Sequence, residues 1–250
     1  MAGRLEGKIA LIVGAGSIGP GWGNSKATAT LFAREGASVM CADVNLAAAE
    51  ETAQLIRDEG GVAEAVAADV SSHADIQAMV EATVARFGRI DVLDYNVGLA
   101  HVGGVVELSE EDWDRMHDIN LKGCFLTLKH VIPLMEAQGS GSIINISSIA
   151  SIRYLGFAYT TYYTTKAALN QLTKALAVQY APKGIRVNAI LPGLMKTPMV
   201  EKSAGLAKEY AGGDVDKMWA MPGMLPMPPC FWRLMNQNMS QGWKCWSMAG

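Results

Sequence analysis

Two short stretches of this 250-residue chain carry side chains that could perform acid–base chemistry together. Ser147-Ser148 is followed by Tyr162, and Lys166 comes four residues after the tyrosine. The apolar spacing over 161–181 predicts a helix, in which Tyr162 and Lys166 share one face. An ammonium beside a phenol favours the phenolate, and lowering the phenol pKa from about 10 towards neutrality needs roughly 3–4 kcal/mol of differential interaction. Such a tyrosine would exchange a proton with an alcohol or a ketone near pH 7.

The elements that must position these residues are predicted by short apolar runs that alternate with amphipathic stretches. Strands are predicted at 8–13, 38–42, 62–67, 91–94, 142–146 and 185–190, and helices at 26–35, 46–59, 76–87, 113–134 and 161–181. This alternation predicts a single α/β domain, with one Rossmann-type, doubly wound parallel sheet and helices on both faces. Ligands of such sheets bind at the carboxyl ends of the strands.

A glycine-rich loop over residues 14–25 connects the first predicted strand to the first predicted helix. Backbone without side chains lets N–H groups and a helix N-terminus approach an anion, so this loop predicts a pyrophosphate cradle. Gly14, Ser17, Gly23 and Asn24 are its predicted cofactor-binding residues. The alternative interpretation is a merely flexible loop.

Acidic residues end the second and third predicted strands. Asp43 lies about where an acid can bind the adenosine ribose hydroxyls, and no arginine or lysine follows it, which favours NAD over NADP. The alternative role of Asp43 is to cap a helix. Asp69 and Val70, after the third strand, are predicted to contact the edge of the adenine.

Bulk composition excludes several other classes of protein. Half of the residues are hydrophobic and the formal charge is −3, which argues against a disordered chain and a nucleic-acid binder. The four cysteines are far apart, so neither a zinc site nor a disulfide framework is expected. The polar start and the lack of a long apolar run predict no signal peptide, no membrane span and a cytoplasmic location.

Seven short motifs follow one another along the chain: Asp43, Asp69-Val70, Asn96-Val97-Gly98, Asn120 to Gly123, Asn145 to Ser148, Tyr162 with Lys166 to Leu169, and Asn188 to Gly193. Taken in order, they resemble the short-chain dehydrogenase/reductase family over roughly residues 5–220. The resemblance implies that Tyr162 is the proton donor and acceptor, that Lys166 lowers its pKa and holds the nicotinamide ribose, and that Ser148 orients the substrate oxygen. It also implies that Asn120 supports a water in a proton relay.

The resemblance further implies that the protein transfers a hydride between NAD and a small secondary alcohol or ketone. It also implies a homo-oligomer, with no nucleic-acid or membrane partner. Ser147 is the less favoured serine because adjacent strand residues face opposite ways. The additional residues expected around the cofactor are Asn96, Gly98, Pro192, Gly193 and Thr197.

The chain departs from the family pattern at three places before its tail. Val13 stands where the family usually has threonine, and Tyr95 replaces the first asparagine of its Asn-Asn-Ala-Gly run. The glycine loop is about five residues longer than usual. Matching its end to the usual helix start places the inserted segment at Ile18–Trp22, with Gly23 as the middle glycine and Ser25 in place of the last.

The C-terminal tail has a sequence without helical or strand periodicity, and four of the six tryptophans lie in 219–250. Permitted codons for 231–250, shifted by two nucleotides, read LASDESKYVTGVEMLVDGG, which is an ending typical of the family. We therefore hypothesise a catalytic domain over 1–221 and a frameshifted tail over 222–250. The last strand of the family's sheet would then be missing, with an open sheet edge and a weakened tetramer or dimer as consequences.

Two other functions remain compatible with the sequence. Tyr159 lies seven residues before Lys166, a spacing that resembles enoyl reductases, which also carry an enlarged loop after the first strand. Asn120 and Ser148 favour the alcohol–ketone interpretation over that one. The third possibility is an NAD-binding protein without turnover.

Overall fold

The computed structural model describes residues 3–156, 158–193, 195 and 197–198 of the chain. Its strands are β1 Ile9–Val13, β2 Ser38–Asp43, β3 Val62–Ala67, β4 Val92–Tyr95, β5 Gly141–Ile146 and β6 Ile185–Ile190. They form one sheet in the order β3-β2-β1-β4-β5-β6, and every neighbouring pair is parallel. The chain reverses direction of winding between β1 and β4, which is where sheets of this kind bind their ligands.

Six α-helices lie on the two faces of this sheet within the described residues. They are α1 Asn24–Arg34, α2 Leu46–Asp58, α3 His73–Phe87, α4 Glu110–His117, α5 Gly123–Gln138 and α6 Thr160–Tyr180, and a π-helical turn over Asp118–Lys122 joins α4 to α5. Side-chain caps fix three of the starts, because Asn45, Ser72 and Ser109 each accept hydrogen bonds from the first turn of the following helix.

The hydrophobic core has two layers, one on each face of the sheet. Leu11, Leu93 and Ile143 point to the layer formed with α3, α5 and α6. Their strand neighbours, such as Ile12 and Ile144, point to the layer formed with α1 and α2. Successive side chains of a strand point to opposite faces of the sheet, and helices cover both faces. The strands therefore need nearly continuous apolar runs.

The predicted fold class is confirmed; three helix predictions differ from the observed bounds by one or two residues, and two differ by more. Helix α3 begins at His73, not at Ile76, because the Ser72 cap adds a turn. The single helix predicted over 113–134 is instead α4, the π-helical turn and α5. The predicted tail over 222–250 and the missing last strand concern residues outside the described ones.

In the described ranges, no helix is both long and apolar enough to cross a membrane. Within those same ranges, no three or more His, Cys, Asp or Glu side chains are grouped as a metal site would require. Cys41 and Cys124 are buried free thiols, and burial raises the pKa of each to about 12. Neither thiol is therefore a reactive thiolate at neutral pH.

Candidate active site

At Gly14 and Gly16 the glycine loop packs against the ends of β4 and β2 with no room for side chains. Gly14 has a φ of +82°, and a Cβ there would lie 3.0 Å from the Asn96 carbonyl oxygen. A Cβ on Gly16 would lie 2.9 Å from a carboxylate oxygen of Asp43. The loop backbone therefore approaches its neighbours as closely as a phosphate-binding turn requires.

Polar groups at the start of α1 are left for a ligand. Gly23 is the N-cap residue of this helix and supplies no side-chain cap, so the amides that begin at Asn24 lack a side-chain acceptor. The Ser17 hydroxyl is buried and has no hydrogen-bond partner in the described part of the chain. A helix N-terminus with free amides favours an anion, as the sequence predicts for Ser17, Gly23 and Asn24.

The inserted segment Ile18–Trp22 extends towards the chain that follows β6. A Cβ on Gly19 would lie 3.3 Å from Cβ of Pro198. Ile18 and Trp22 are more than half exposed, and the ammonium of Lys26 lies 5.6 Å from the centroid of the Trp22 ring. The insertion therefore lies over the carboxyl edge of the sheet rather than away from it.

The two acidic residues predicted to contact the adenosine have local partners. One oxygen of Asp43 accepts from the Gly16 amide at 2.9 Å, and the other accepts from the Asn45 amide at 2.9 Å. Asp69 accepts from both the amide and the hydroxyl of Ser71, and Val70 is buried in the core layer beside α3 and α5. Asp43 therefore fixes the glycine loop directly, a role that its spacing alone did not predict.

The end of β4 forms the floor beneath the predicted catalytic side chains. A Cβ on Gly98 would lie 3.1 Å from Nζ of Lys166 and 3.8 Å from the Tyr162 ring. The side-chain amide nitrogen of Asn96 is buried and has no partner within the described ranges, so this donor could bind a ligand. Val97, between Asn96 and Gly98, accepts a hydrogen bond from the Lys166 ammonium through its carbonyl oxygen.

Three hydrogen bonds hold Lys166 in place, two made by its ammonium and one by its own backbone carbonyl. Its ammonium donates to the carbonyls of Val97 at 3.1 Å and Ile146 at 2.8 Å, and the residue is 3% exposed. The Ser147 hydroxyl donates to the Lys166 backbone carbonyl at 3.0 Å. Burial lowers the pKa of Lys166 to about 8, so that at neutral pH most molecules still carry the ammonium.

Ser148, rather than Ser147, contacts Tyr162. The Ser148 side chain is hydrogen-bonded to the phenol, while its oxygen also accepts from the Ala150 amide at 3.1 Å. One turn along α6, Nζ of Lys166 lies 5.7 Å from the centroid of the Tyr162 ring. Three of the four predicted catalytic residues are therefore grouped at the ends of β4 and β5.

The expected low pKa of Tyr162 is wrong for the protein without a cofactor. Burial of the phenol raises its pKa above the ordinary value, and the hydrogen bond from Ser148 offsets only part of that rise. The Lys166 ammonium is directed at two backbone carbonyls, which weakens its effect on the phenol. The spacing of the two residues correctly placed them on one face of α6 but could not reveal these competing contacts.

Asn120 is fully buried in the π-helical turn, where its side-chain amide is bonded on both sides. It accepts from the Leu99 amide at 2.8 Å and donates to the Leu99 carbonyl at 2.9 Å. It also donates to the Thr165 hydroxyl at 3.2 Å, next to Lys166. Sequence reasoning missed Thr165 and Leu99, although the position of Thr165 beside Lys166 was the available signal.

The predicted residues after β6 lie beside the end of β5. Pro192 is buried, and its carbonyl accepts from the Ile149 amide at 2.9 Å. A Cβ on Gly193 would meet no atom of the described residues within 4 Å. Thr197 is described and partly buried. Pro192 therefore lies at the carboxyl edge of the sheet, beside the residues that follow β5.

Comparisons with known proteins agree with this geometry. A family model described as "Enoyl-(Acyl carrier protein) reductase" matches residues 20–218. The 3-oxoacyl-[acyl-carrier-protein] reductase FabG of Thermotoga maritima is 40% identical over 211 residues, which cover 83% of this chain and 82% of that protein.

Two solved structures extend the similarity to the coordinates. A Burkholderia xenovorans protein described as a short-chain dehydrogenase/reductase has a TM-score of 0.83 and 42% identity, covering 90% of this chain and 85% of its own. A 7α-hydroxysteroid dehydrogenase, solved with NADH and 7-oxo glycochenodeoxycholic acid, has a TM-score of 0.75 and 33% identity, covering 80% and 75%. With its parallel sheet, its glycine loop and the group Ser148, Tyr162 and Lys166, this chain belongs to the short-chain dehydrogenase/reductase family.

Proposed function

We propose that this enzyme transfers a hydride between NAD(H) and a secondary alcohol or its ketone, with Tyr162 as the general acid and base. One observation carries the proposal: the Ser148 hydroxyl is hydrogen-bonded to the Tyr162 phenol, and the Lys166 ammonium lies 5.7 Å from the centroid of that ring, beside the Gly98 backbone. A proton donor and an orienting hydroxyl on one small surface are what a reacting C–O group requires.

Each side chain has a separate task in the proposed reaction. Ser148 hydrogen-bonds the substrate oxygen and holds it beside the phenol. In alcohol oxidation the substrate hydroxyl gives its proton to the Tyr162 oxygen, and in ketone reduction the phenol returns that proton to the carbonyl oxygen. A bound nicotinamide supplies or accepts the hydride. Because burial raises the pKa of Tyr162, proton release is easier when a further positive charge enters the site beside Lys166.

Asn120 connects this site to the fold in the proposal. Its amide bridges the Leu99 backbone and the Thr165 hydroxyl, so its position is fixed relative to α6. From there it supports a water through which the proton of Tyr162 exchanges with solvent. Lys166 also holds the nicotinamide ribose in this proposal.

The glycine cradle and two unsatisfied polar atoms support a dinucleotide as the cofactor. The Ser17 hydroxyl and the Asn96 amide nitrogen are buried without partners, and a bound ligand would satisfy them. Cβ atoms at Gly14 and Gly98 would encounter neighbouring groups, so neither position has room for a side chain beside the proposed cofactor. Beyond these, Gly23, Asn24, Asp43, Asp69, Val70, Pro192, Gly193 and Thr197 complete the proposed binding residues.

The carboxylate of Asp43 supports NAD over NADP. A 2′-phosphate on the ribose would meet this charge, and the residues that follow are Val44 and Asn45. We expect the wild type to use NADH in preference to NADPH, and Asp43→Asn to improve relative NADPH use about tenfold, equal to 1.4 kcal/mol. The asparagine oxygen can accept from only one of the two amides that Asp43 binds, those of Gly16 and Asn45, so NADH affinity is measured beside the ratio to separate the lost charge from the lost hydrogen bond. Comparing kcat/KM for both cofactors measures the ratio, and an unchanged ratio would exclude a role for this charge.

The proposal is tested by mixing the purified protein and NAD+ with secondary alcohols of different size, including cyclohexanol and a 7α-hydroxysteroid, and following NADH formation. The reverse reaction uses the matching ketones and a 3-oxoacyl thioester with NADH. Turnover with members of this panel is expected. NADH binding without any turnover would instead support a binding protein without catalysis.

An enoyl-reductase activity is the second candidate, and one observation favours it. Tyr159 is 7% exposed and its ring centroid lies 6.4 Å from that of Tyr162, so a second phenol is close to the site. The matching family model also carries an enoyl-reductase description. Reduction of a 2-enoyl thioester by NADH, with no oxidation of secondary alcohols, would establish this alternative.

A homo-oligomer and a cytoplasmic location also remain part of the proposal. Phe125 on α5 and Val178 on α6 are exposed apolar side chains, as expected where subunits meet. Light scattering on the purified protein measures the assembly.

Sequencing the gene over codons 222–250 tests the frameshift hypothesis, which fails if the codons do not restore the family ending.

A further inference from the structure

Tyr95, the residue that departs from the family's Asn-Asn-Ala-Gly run, is fully buried at the end of β4. It is 0% exposed, and its hydroxyl donates a hydrogen bond to the Ile119 carbonyl at 3.2 Å. Ile119 belongs to the π-helical turn Asp118–Lys122, next to Asn120. A side chain of the sheet is thus attached to the backbone of the turn that carries a predicted catalytic residue.

A π-helical turn needs support from outside the helix. Here the Gly123 amide donates to the Asp118 carbonyl, five residues earlier, instead of the usual four. Such turns are rare and break the regular hydrogen-bond pattern, so carbonyl groups within them need other donors. The Tyr95 hydroxyl is such a donor for Ile119.

The space around the hydroxyl is shaped to receive it. A Cβ on Gly123 would lie 2.8 Å from the Tyr95 hydroxyl oxygen and 2.7 Å from the Val70 carbonyl oxygen. The glycine therefore allows the phenol to fit between β3, β4 and the start of α5. Burial raises the pKa of Tyr95 well above its usual value, so the hydroxyl remains protonated and able to donate.

We propose that Tyr95 is a positioning residue for the reaction: its hydroxyl holds the π-helical turn so that Asn120 bridges Leu99 and Thr165 beside Lys166. The inference rests on the proposed function and extends it to a residue without contact to the reacting groups. At position 95, where the family usually has an asparagine, this chain thus uses a tyrosine hydroxyl to support the turn.

The first test measures hydrogen–deuterium exchange in the protein without cofactor. Tyr95→Phe keeps the ring and removes only the hydroxyl. Amides of 118–125 are expected to exchange about tenfold faster, since a buried carbonyl loses its donor. The matched control is Thr83→Val, which removes another buried hydroxyl that donates to a helical carbonyl, that of Met79 in α3, away from the turn. Unchanged exchange over 118–125 in Tyr95→Phe would overturn the proposal.

The second test measures kinetics and cofactor binding. Tyr95→Phe is expected to lower kcat about tenfold, while KM for NAD+ and NADH affinity by fluorescence stay within about twofold, because only the chemical step needs Asn120 in place. Thr83→Val should retain the wild-type kcat. Faster exchange with an unchanged kcat would overturn the positioning role. Absence of turnover in the wild type would refute the proposed function, and the exchange result would still decide whether Tyr95 holds the turn.

Discussion

Replacing Tyr162 by phenylalanine is expected to lower hydride transfer about a thousandfold, in the range that a positioned acid or base contributes. The variant keeps the ring beside Gly98 and loses only the hydroxyl that is hydrogen-bonded to Ser148. NADH affinity should change far less than the rate, because the glycine cradle is untouched. Single-turnover measurements with one secondary alcohol and NAD+ report the loss directly.

Two neighbouring tyrosines provide controls for this substitution. Tyr163→Phe removes a phenol that accepts from the Leu155 amide at 2.9 Å, and we expect it to retain most of the activity. Tyr159→Phe separates the two candidate reactions, because an enoyl reductase of the kind described above would depend on Tyr159. Loss of alcohol oxidation in Tyr159→Phe, with retention in Tyr162→Phe, would reject Tyr162 as the acid–base residue.

Strands were predictable from the sequence because their apolar runs end at abrupt polar or glycine signals. The predicted bounds of β3 and β6 equal the observed ones, Val62–Ala67 and Ile185–Ile190. Both runs are followed or preceded by residues that stop a strand, such as Gly61 and Gly184. Local punctuation of this kind does not depend on the rest of the fold.

The break between α4 and α5 could not be predicted in the same way. Its apolar spacing reads as one helix, and the π-helical turn depends on contacts from distant segments, namely Tyr95 on β4 and Leu99 after it. Pro133 inside α5 gave no warning, since it lies well beyond the turn. Periodicity reports which face is buried and carries no information on an extra residue in one turn.

The chemistry of the site was predictable in its residue types and less so in its energetics. The order of the motifs placed Ser148, Tyr162 and Lys166 in one family pattern, and α6 brings the last two onto one face. Burial raises the pKa of Tyr162 and lowers the pKa of Lys166, and the sequence alone does not show either shift. The same limit applies to Asp43, whose contact with the Gly16 amide depends on how the loop folds over β2.

A buried carboxylate in the middle of β4 leads to the second large prediction. Asp94 is 0% exposed, and among the residues that the structure describes neither of its oxygens has a hydrogen-bond partner. Its register partners on the adjacent strands are Ile12 and Ile144, both in the core layer beside α1 and α2. Burial alone raises its pKa to about 7, with no compensating charge. An isolated charge in such a position destabilises the folded state.

The sign of the pH dependence follows from proton binding. Between the unfolded pKa near 3.8 and the folded pKa of about 7, the folded protein keeps a proton that the unfolded chain has released. This contribution to stability is therefore fully retained below the lower pKa and lost as the pH rises to about 7. The loss amounts to about 4 kcal/mol, at 1.36 kcal/mol for each unit of pKa difference.

Asp94→Val is expected to raise the free energy of unfolding at pH 8 by about 4 kcal/mol, because it removes the buried charge and places a strand-forming apolar side chain between Ile12 and Ile144. Urea unfolding of wild type and variant from pH 5 to 8, at one protein concentration, should show the difference growing with pH. Asp91, which accepts from the Ile9 amide at 3.0 Å and pairs with Arg89, gives the opposite control. Asp91→Val should lower stability by about 2 kcal/mol, since it leaves a buried amide unpaired. Equal stability of wild type and Asp94→Val at pH 8 would contradict this prediction. It would mean that the Asp94 carboxylate has a hydrogen-bond or ionic partner in solution.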